Sequence, residues 1–263
     1  MHIHLTDQYR QRESIAHRLD PRTKIVIALA FILAIALTPA GAFVAYGLLY
    51  LFLLLAVLSA RIELPYVIKR SFIAIPFALA AVTLPFTVPG ETLTTLPILG
   101  GITISVEGTI RFVSILLKSW ISVQAAILLV AITPFPDLLW GLRALRVPST
   151  LVAIVGFAYR YLFVLSDEAL RLMQARAARS AVIDGRRGGG SLLWRGKVTG
   201  RMVGSLMLRS MERSERIYNA MLARGYQGQT RVLNRPQMGR QDYLALVVSL
   251  SLFVSIVLLS RII

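Results

Sequence analysis

The feature that most constrains this chain is a series of long stretches that carry no charge. Several runs of roughly 17–20 residues lack any charged side chain, and an α-helix needs about 20 apolar residues to cross ~30 Å of hydrocarbon. Hydrophobic residues make up 56% of the chain, and its mean hydropathy is +0.67. The sequence therefore predicts an all-α, polytopic integral membrane protein and excludes a soluble globular domain.

Five crossing segments are predicted, and a sixth apolar stretch, 147–165, is interpreted as a helix at the cytoplasmic interface. A full span there would place the charge of Arg160 in hydrocarbon. The predicted spans are about 24–38, 42–60, 67–87, 109–132 and 243–260. They divide the chain into an N-terminal arm with four spans (1–132), a cytoplasmic or interfacial region (133–240) and a C-terminal span (241–263).

The charge distribution predicts the orientation in the membrane. The chain has 29 Lys and Arg against 13 Asp and Glu, and residues 171–240 alone hold fifteen cations and three acids. Because cytoplasmic loops of membrane proteins are enriched in Lys and Arg, the N-terminus and the 171–240 region are predicted to be cytoplasmic. The loop 88–108 and the C-terminus are then predicted to lie outside.

Two local signals predict backbone structure. Asp20 suits the N-cap of the first spanning helix and Pro21 its first turn. In the outer loop, two β-prone runs flank Gly100-Gly101, which is typical of a β-hairpin.

The residues that would carry catalysis or metal binding are scarce. The chain has no cysteine, and its three histidines, His2, His4 and His17, precede the first span. No predicted span contains a carboxylate pair or a histidine cluster, and we expect no catalytic, cofactor or metal site in this chain. Two other functions stay open: a channel that selects anions through Arg111, Lys118 or Arg160, and a membrane-anchored protein that binds RNA or acidic lipid.

The basic region contains two predicted helices with similar endings. The helices cover about 166–180 and 202–224, and they end in Ala178-Arg179-Ser180 and Ala223-Arg224-Gly225, with Gly225 at the C-terminal cap position. Acid-before-base pairs four residues apart, Asp167–Arg171 and Glu212–Arg216, are expected to support them. The helix dipole also favours an arginine near the C-terminal end of a helix. Because the same short ending occurs twice, it suggests two arginines that dock into acidic grooves of a dimeric partner.

The sequence resembles a known family, the transmembrane coupling (T) components of energy-coupling-factor (ECF) ABC importers. The resemblance rests on Leu19-Asp20-Pro21-Arg22-Thr23-Lys24, on the paired arginine endings and on the segment 208–228. It is closest to the CbiQ type of the cobalt and nickel branch, although Ser180 stands where that family more often has glycine.

The resemblance implies a scaffold without a substrate site or ATPase activity of its own. Arg179 and Arg224, with their neighbours Ala178, Ser180, Ala223 and Gly225, would be the coupling residues, and Asp20, Pro21 and Arg22 the family signature. The implied partners are a CbiO-type ATPase dimer that binds ATP and Mg, a CbiM-type membrane subunit that binds cobalt or nickel, and a small CbiN-type subunit. A vitamin importer is the alternative within the family. No nucleic acid partner is implied.

Overall fold

Helices joined by short turns form nearly all of the secondary structure. The computed structural model describes residues 10, 12, 14–89, 92–96, 102–179, 191–228 and 237–262. The elements are α1 (Ile15–Arg18), α2 (Pro21–Leu37), α3 (Phe43–Ser59), α4 (Leu64–Ser71), a 3-10 turn (Phe72–Ala74), α5 (Ile75–Ala81), α6 (Leu84–Thr87), β1 (Thr92–Leu96), β2 (Ile102–Ser105), α7 (Val106–Ile132), α8 (Phe135–Ala144), α9 (Ser149–Arg179), α10 (Leu192–Ala223) and α11 (Arg240–Ile262). The all-α fold class predicted from the sequence is confirmed.

The two strands form the small exception. β1 pairs with β2 antiparallel, with Leu96 opposite Ile102. A hairpin is therefore present in the loop where the sequence predicted one. The proposed turn at Gly100-Gly101 lies outside the described residues.

Packing divides the chain into two units. The bundle unit comprises Asp7–Leu145 and Arg235–Ile263, and the helix-pair unit is built on Arg146–Asn234. The first segment of the bundle unit includes α8, which packs on α2. A Cβ atom on Gly141 of α8 would come within 2.8 Å of Ile25 Cδ1.

The bundle unit is held together by aromatic side chains from three helices. Phe31 of α2, Phe52 of α3 and Phe253 of α11 form a cluster, and the ring centroids of Phe52 and Phe253 are 4.9 Å apart. The outward faces of the same helices are apolar and exposed, as at Leu33 (61%) and Val247 (64%). Apolar side chains on both faces are expected of helices that contact lipid.

Helix lengths agree with several membrane spans. By length and composition, 64–87, α7, α9 and α11 are long and apolar enough to cross a membrane. The first two predicted spans correspond to α2 and α3, which have 17 residues each. The predicted span 67–87 is not one regular helix. Prolines 65, 76 and 85 each lack a backbone N–H, and the segment is broken into three short helices and a 3-10 turn.

Arg10 and Arg12 of the N-terminal arm bond to residues of the bundle unit. The Arg12 guanidinium donates to the carbonyl oxygen of Arg61 at 2.7 Å and to Glu63 Oε1 at 2.9 Å, and Arg10 lies over the Tyr66 ring. His17 Nε2 donates to the carbonyl oxygen of Arg10 at 2.9 Å, and burial lowers the pKa of His17. This histidine therefore has a structural role in the arm, while His2 and His4 lie outside the described residues.

Candidate functional site

The helix-pair unit consists of α9 and α10 running antiparallel. Arg176, near the end of α9, donates to Thr199 Oγ1, near the start of α10, at 2.9 Å. At the other end of the pair, the ring of Phe157 on α9 contacts Tyr226, just after α10, with centroids 6.5 Å apart. Contacts at both ends of the pair therefore fix the direction of the helices.

An ion-pair cluster joins the middle of the two helices. Glu168 on α9 accepts from Arg213 at 2.9 Å and from Arg209 at 3.5 Å. The Glu168 side chain is only 19% exposed, so its ion pairs are partly shielded from water. The predicted pairs Asp167–Arg171 and Glu212–Arg216 are not formed in the described part of the chain, where the ion pairs of this region join the two helices through Glu168.

Both helices are longer than predicted. The segments 147–165 and 166–180, which the sequence suggested as separate, form the single 31-residue helix α9. The second predicted helix, 202–224, begins ten residues earlier, at Leu192, where Ser191 caps its first turn. No proline interrupts the backbone hydrogen-bond ladder around Ser166, and a helix continues through a change of polarity if nothing breaks its backbone.

The antiparallel arrangement places the two predicted coupling arginines at opposite ends of the pair. Arg179 lies three residues beyond Arg176, so it is level with the first turns of α10. Arg224 follows the last residue of that helix. At a rise of 1.5 Å per residue, the two arginines are separated by about 40 Å along the pair.

The end of α10 around Arg224 is a Schellman motif. The Tyr226 N–H donates to the carbonyl oxygen of Met221 at 3.0 Å, and the Gly225 N–H donates to that of Leu222 at 2.9 Å. Gly225 has φ +77°, in the left-handed region that favours glycine. The predicted cap at Gly225 is confirmed. This turn directs Tyr226 toward Phe157 and leaves Arg224 at the tip of the helix.

Replacing Gly225 with alanine is expected to destabilise this tip. An L-residue in the left-handed region costs about 1–2 kcal/mol. The purified protein should therefore unfold at a lower temperature, as measured by circular dichroism. Gly196→Ala is the matched control, because Gly196 lies inside α10 with open space around it and alanine favours helix. Equal unfolding temperatures for both variants would show that the positive φ is not required.

Arg179 and Arg224 differ from several neighbouring arginines in being unengaged. Both side chains are exposed, and neither guanidinium group bonds to another described residue. Arg209 and Arg213, by contrast, bond to Glu168. Ala178 and Ala223, which precede the two arginines, are also exposed. Ser180 lies outside the described residues.

A face of α10 that the sequence analysis missed carries a stripe of glycines. Gly196, Gly200 and Gly204 are spaced four residues apart and so share one face of the helix. A Cβ atom at any of them would meet nothing within 4 Å. Val203 and Met207 beside the stripe are about 60% exposed. The spacing of four could have revealed this face, since a helix otherwise disfavours glycine by about 1 kcal/mol per residue.

The family signature lies in the bundle unit, at the start of α2. Asp20 caps the helix as predicted, with its Oδ1 accepting from the Arg22 N–H at 2.9 Å, and Pro21 occupies the first turn. The Arg22 guanidinium lies 4.4 Å from the centre of the Trp140 ring on α8. Asp20, Pro21 and Arg22 therefore make contacts inside the bundle unit. In sequence they are far from the predicted coupling arginines.

Lys118, one of the cations considered for an anion channel, has a structural role. Its Nζ donates to the carbonyl oxygens of Thr38 at 2.5 Å and Ala36 at 3.3 Å, at the C-terminal end of α2. A cation at that end satisfies carbonyl groups that no backbone N–H reaches. Among the residues that the structure describes, no group of three His, Cys, Asp or Glu side chains could hold a metal ion.

Known proteins resemble this chain over most of its length. Residues 12–234 match CbiQ, the cobalt transport protein family. The chain belongs to the CbiQ family of ECF T components. The ECF transporter transmembrane protein EcfT of Heliobacterium modesticaldum is 31% identical over 265 residues, 95% of each chain.

Two further relatives show how far the similarity extends. The cobalt transport protein CbiQ of Rhodobacter capsulatus is 29% identical over 150 residues, covering 57% of this chain and 59% of that protein. An uncharacterized protein of Methanocaldococcus jannaschii is 26% identical over 265 residues, 97% of this chain and 86% of that protein. The resemblance to ECF T components is thereby confirmed, and the roles of individual residues stay predictions.

Proposed function

We propose that this member of the CbiQ family transmits the motion of two ABC ATPase subunits to a separate substrate-binding membrane subunit. The observation that carries the proposal is the placement of Arg179 and Arg224. They are exposed, unengaged and held at opposite ends of one antiparallel helix pair. Two identical contacts about 40 Å apart suit a dimeric partner with one groove on each subunit.

The Glu168 ion pairs would let the two helices move as one body. Because Glu168 joins the two helices at mid-length, a displacement of one end is passed to the other instead of bending a single helix. In the proposed cycle, ATP binding closes the ATPase dimer, the docked helix ends move with it, and the substrate subunit is reoriented to release its cargo. Such coupling requires contacts that differ between the open and closed states.

The glycine stripe supports a second contact, with the substrate-binding subunit. Gly196, Gly200 and Gly204 lower the helix propensity of α10. No close contact within the described part of this chain requires a glycine at any of the three positions. Small residues at a spacing of four let another helix approach closely. We assign this face to an apolar helix of the substrate subunit, and the two arginines to the ATPases.

The cargo is proposed to be cobalt or nickel. The match to the cobalt transport protein family over residues 12–234 supports this choice, whereas the similarity to EcfT proteins does not distinguish a metal from a vitamin. In either case the cargo would bind to a CbiM-type or vitamin-binding subunit, and ATP and Mg to CbiO-type ATPases. A CbiN-type accessory subunit would belong only to the metal branch.

The experiment that tests the function is reconstitution in liposomes. The chain, the ATPase pair and a metal-capturing subunit from the same genome should together accumulate radioactive cobalt or nickel when ATP is supplied inside. Leaving out the ATPases or this chain should stop accumulation. Flux through this chain alone, without ATP, would contradict the proposal and favour a channel.

Orientation in the membrane gives a separate prediction. We propose that this protein lies in the bacterial cytoplasmic membrane with its N-terminus and helix pair inside and the 88–108 loop and C-terminus outside. Since the chain has no cysteine, single cysteines at Ser214 and Thr95 can be tested with an impermeant maleimide in intact cells. Thr95→Cys should be labelled and Ser214→Cys protected until the cells are opened. Labelling of Ser214→Cys in intact cells would overturn this topology.

A further inference from the structure

The start of α2 lies between the two elements through which the helix-pair unit is connected to the bundle. The chain leaves the bundle unit after α8 and returns to it before α11. Both elements contact the Leu19–Lys24 segment. Hydrogen bonds, close packing and charge interactions hold α8 and α11 against this segment.

The contact with α11 is made by one buried carboxylate. Asp242 Oδ1 accepts from the Asp20 N–H at 2.7 Å, and Asp242 Oδ2 accepts from the Gly239 N–H at 2.8 Å. Asp242 is 6% exposed and Asp20 is 3% exposed. A single side chain therefore satisfies backbone donors at the starts of two helices that are 222 residues apart in sequence.

The contact with α8 is made by close packing and a cation–π pair. A Cβ atom on Gly141 would lie 3.4 Å from Pro21 Cβ and 2.8 Å from Ile25 Cδ1, so α8 packs closely on the start of α2 at this glycine. The Arg22 guanidinium lies 4.4 Å from the centre of the Trp140 ring, a favourable cation–π distance.

Lys24 is buried at the same junction, close enough to Asp137 of α8 and to Asp20 and Asp242 for their negative charges to favour its ammonium form. Its Nζ also donates to the carbonyl oxygens of His17 at 2.9 Å and Ile132 at 3.3 Å. The start of α2 is thus held to α11 by Asp242 and to α8 by Gly141 and Trp140, while Lys24 ties it to the ends of α1 and α7.

We propose that this junction is a rigid clamp that transmits motion from the helix-pair unit to the membrane bundle. Asp20, Pro21 and Arg22 act in it as positioning residues, with Asp242, Trp140 and Gly141 as their partners. The inference rests on the proposed coupling function and assigns the family signature a part in it. Without the clamp, the two connections would move separately, and a displacement of the helix pair would be absorbed there.

Loosening the clamp should uncouple transport from ATP hydrolysis. Asp242→Asn removes a charged acceptor, and Trp140→Leu removes the ring under Arg22. In liposomes with all subunits, each variant should retain the bound ATPases and their turnover. Cargo taken up per ATP should fall about fivefold or more, the usual lower range for coupling between sites. Glu107→Gln, an exposed carboxylate in α7, is the matched control and should keep the normal ratio.

Locking the clamp supplies the opposite test. Pro21→Cys with Gly141→Cys places two Cβ atoms near the separation found in disulfides. Oxidation of this variant should leave its uptake per ATP equal to that of its own reduced form, because a rigid junction does not need to open. Loss of uptake on oxidation, restored by reductant, would overturn the clamp and identify a moving hinge.

The two proposals fail in different ways. A normal uptake ratio in both Asp242→Asn and Trp140→Leu overturns the clamp but leaves the docking arginines untouched. Retention of the ATPases by a chain that lacks Arg179 and Arg224 overturns the coupling function itself. Where Asp242→Asn does not accumulate in the membrane, Trp140→Leu gives the same readout.

Discussion

Replacing both Arg179 and Arg224 with alanine is expected to abolish co-purification of the ATPase subunits and ATP-driven uptake. Each guanidinium is exposed in this chain and would be desolvated on docking. Its removal leaves a carboxylate in the partner's groove unpaired, at a cost of about 2–5 kcal/mol per site. One remaining contact should support weak assembly, so each single variant should reduce uptake without eliminating it.

The chemistry of the contact predicts which substitutions rescue it. Lysine should restore assembly poorly at either position, because an ammonium group lacks the planar fork that grips a carboxylate with two hydrogen bonds. Membrane insertion and helix content should be unchanged in all these variants. Neither guanidinium group bonds to another described residue, so alanine removes no bond within this part of the chain.

The control separates specific docking from general attraction. Arg171 and Arg216 are exposed arginines in the middle of α9 and α10, and their double alanine variant removes the same charge. Arg186 and Arg187, outside the described residues, serve as a second pair. If either control pair reduces ATPase binding as much as Arg179 and Arg224, the interaction is diffuse electrostatics and the two-point docking is wrong.

The second large effect is expected at the centre of the glycine stripe. Gly200→Leu should prevent the substrate subunit from packing on α10 and abolish uptake, while the ATPases remain bound through the two arginines. Instability of α10 cannot account for such a loss. Leucine favours helix over glycine by up to about 1 kcal/mol, and nothing lies within 4 Å of a Cβ at this position.

Arg201→Leu is the matched control for this variant. The neighbouring position is exposed and is turned about 100° from the stripe. The same leucine there should leave the substrate subunit bound in a pull-down from detergent. Loss of the substrate subunit in both variants, or in neither, would show that the glycine face is not its docking surface.

Features set by neighbouring residues could be predicted from the sequence. The N-cap at Asp20 and the left-handed turn at Gly225 depend on a few adjacent side chains and backbone groups, and both appear where the pattern indicates. The repeated Ala-Arg endings were also visible. Their placement at opposite ends of an antiparallel pair was not, because the sequence does not say how two helices are packed.

Features set by distant partners could not be predicted. Asp242 reads as an ordinary acid in the first turn of a helix, and only the fold brings it to the Asp20 N–H. Local spacing favoured pairs within a helix for Arg216 and Arg171, whereas Glu168 is bonded across to Arg213. Surface pairs four residues apart contribute only about 0.3–0.5 kcal/mol, so favourable spacing alone does not ensure that such a pair forms.

Site-specific cross-linking tests the central claim most directly. Ala178→Cys and Ala223→Cys leave both arginines in place, and the chain has no other cysteine. In the assembled complex, a short photoreactive label on either cysteine should form an adduct with an ATPase subunit. The double variant should give one species that contains this chain and two ATPase subunits. Adducts at only one position, or no more than at a control cysteine at Arg171, would contradict docking of the two helix ends on two subunits.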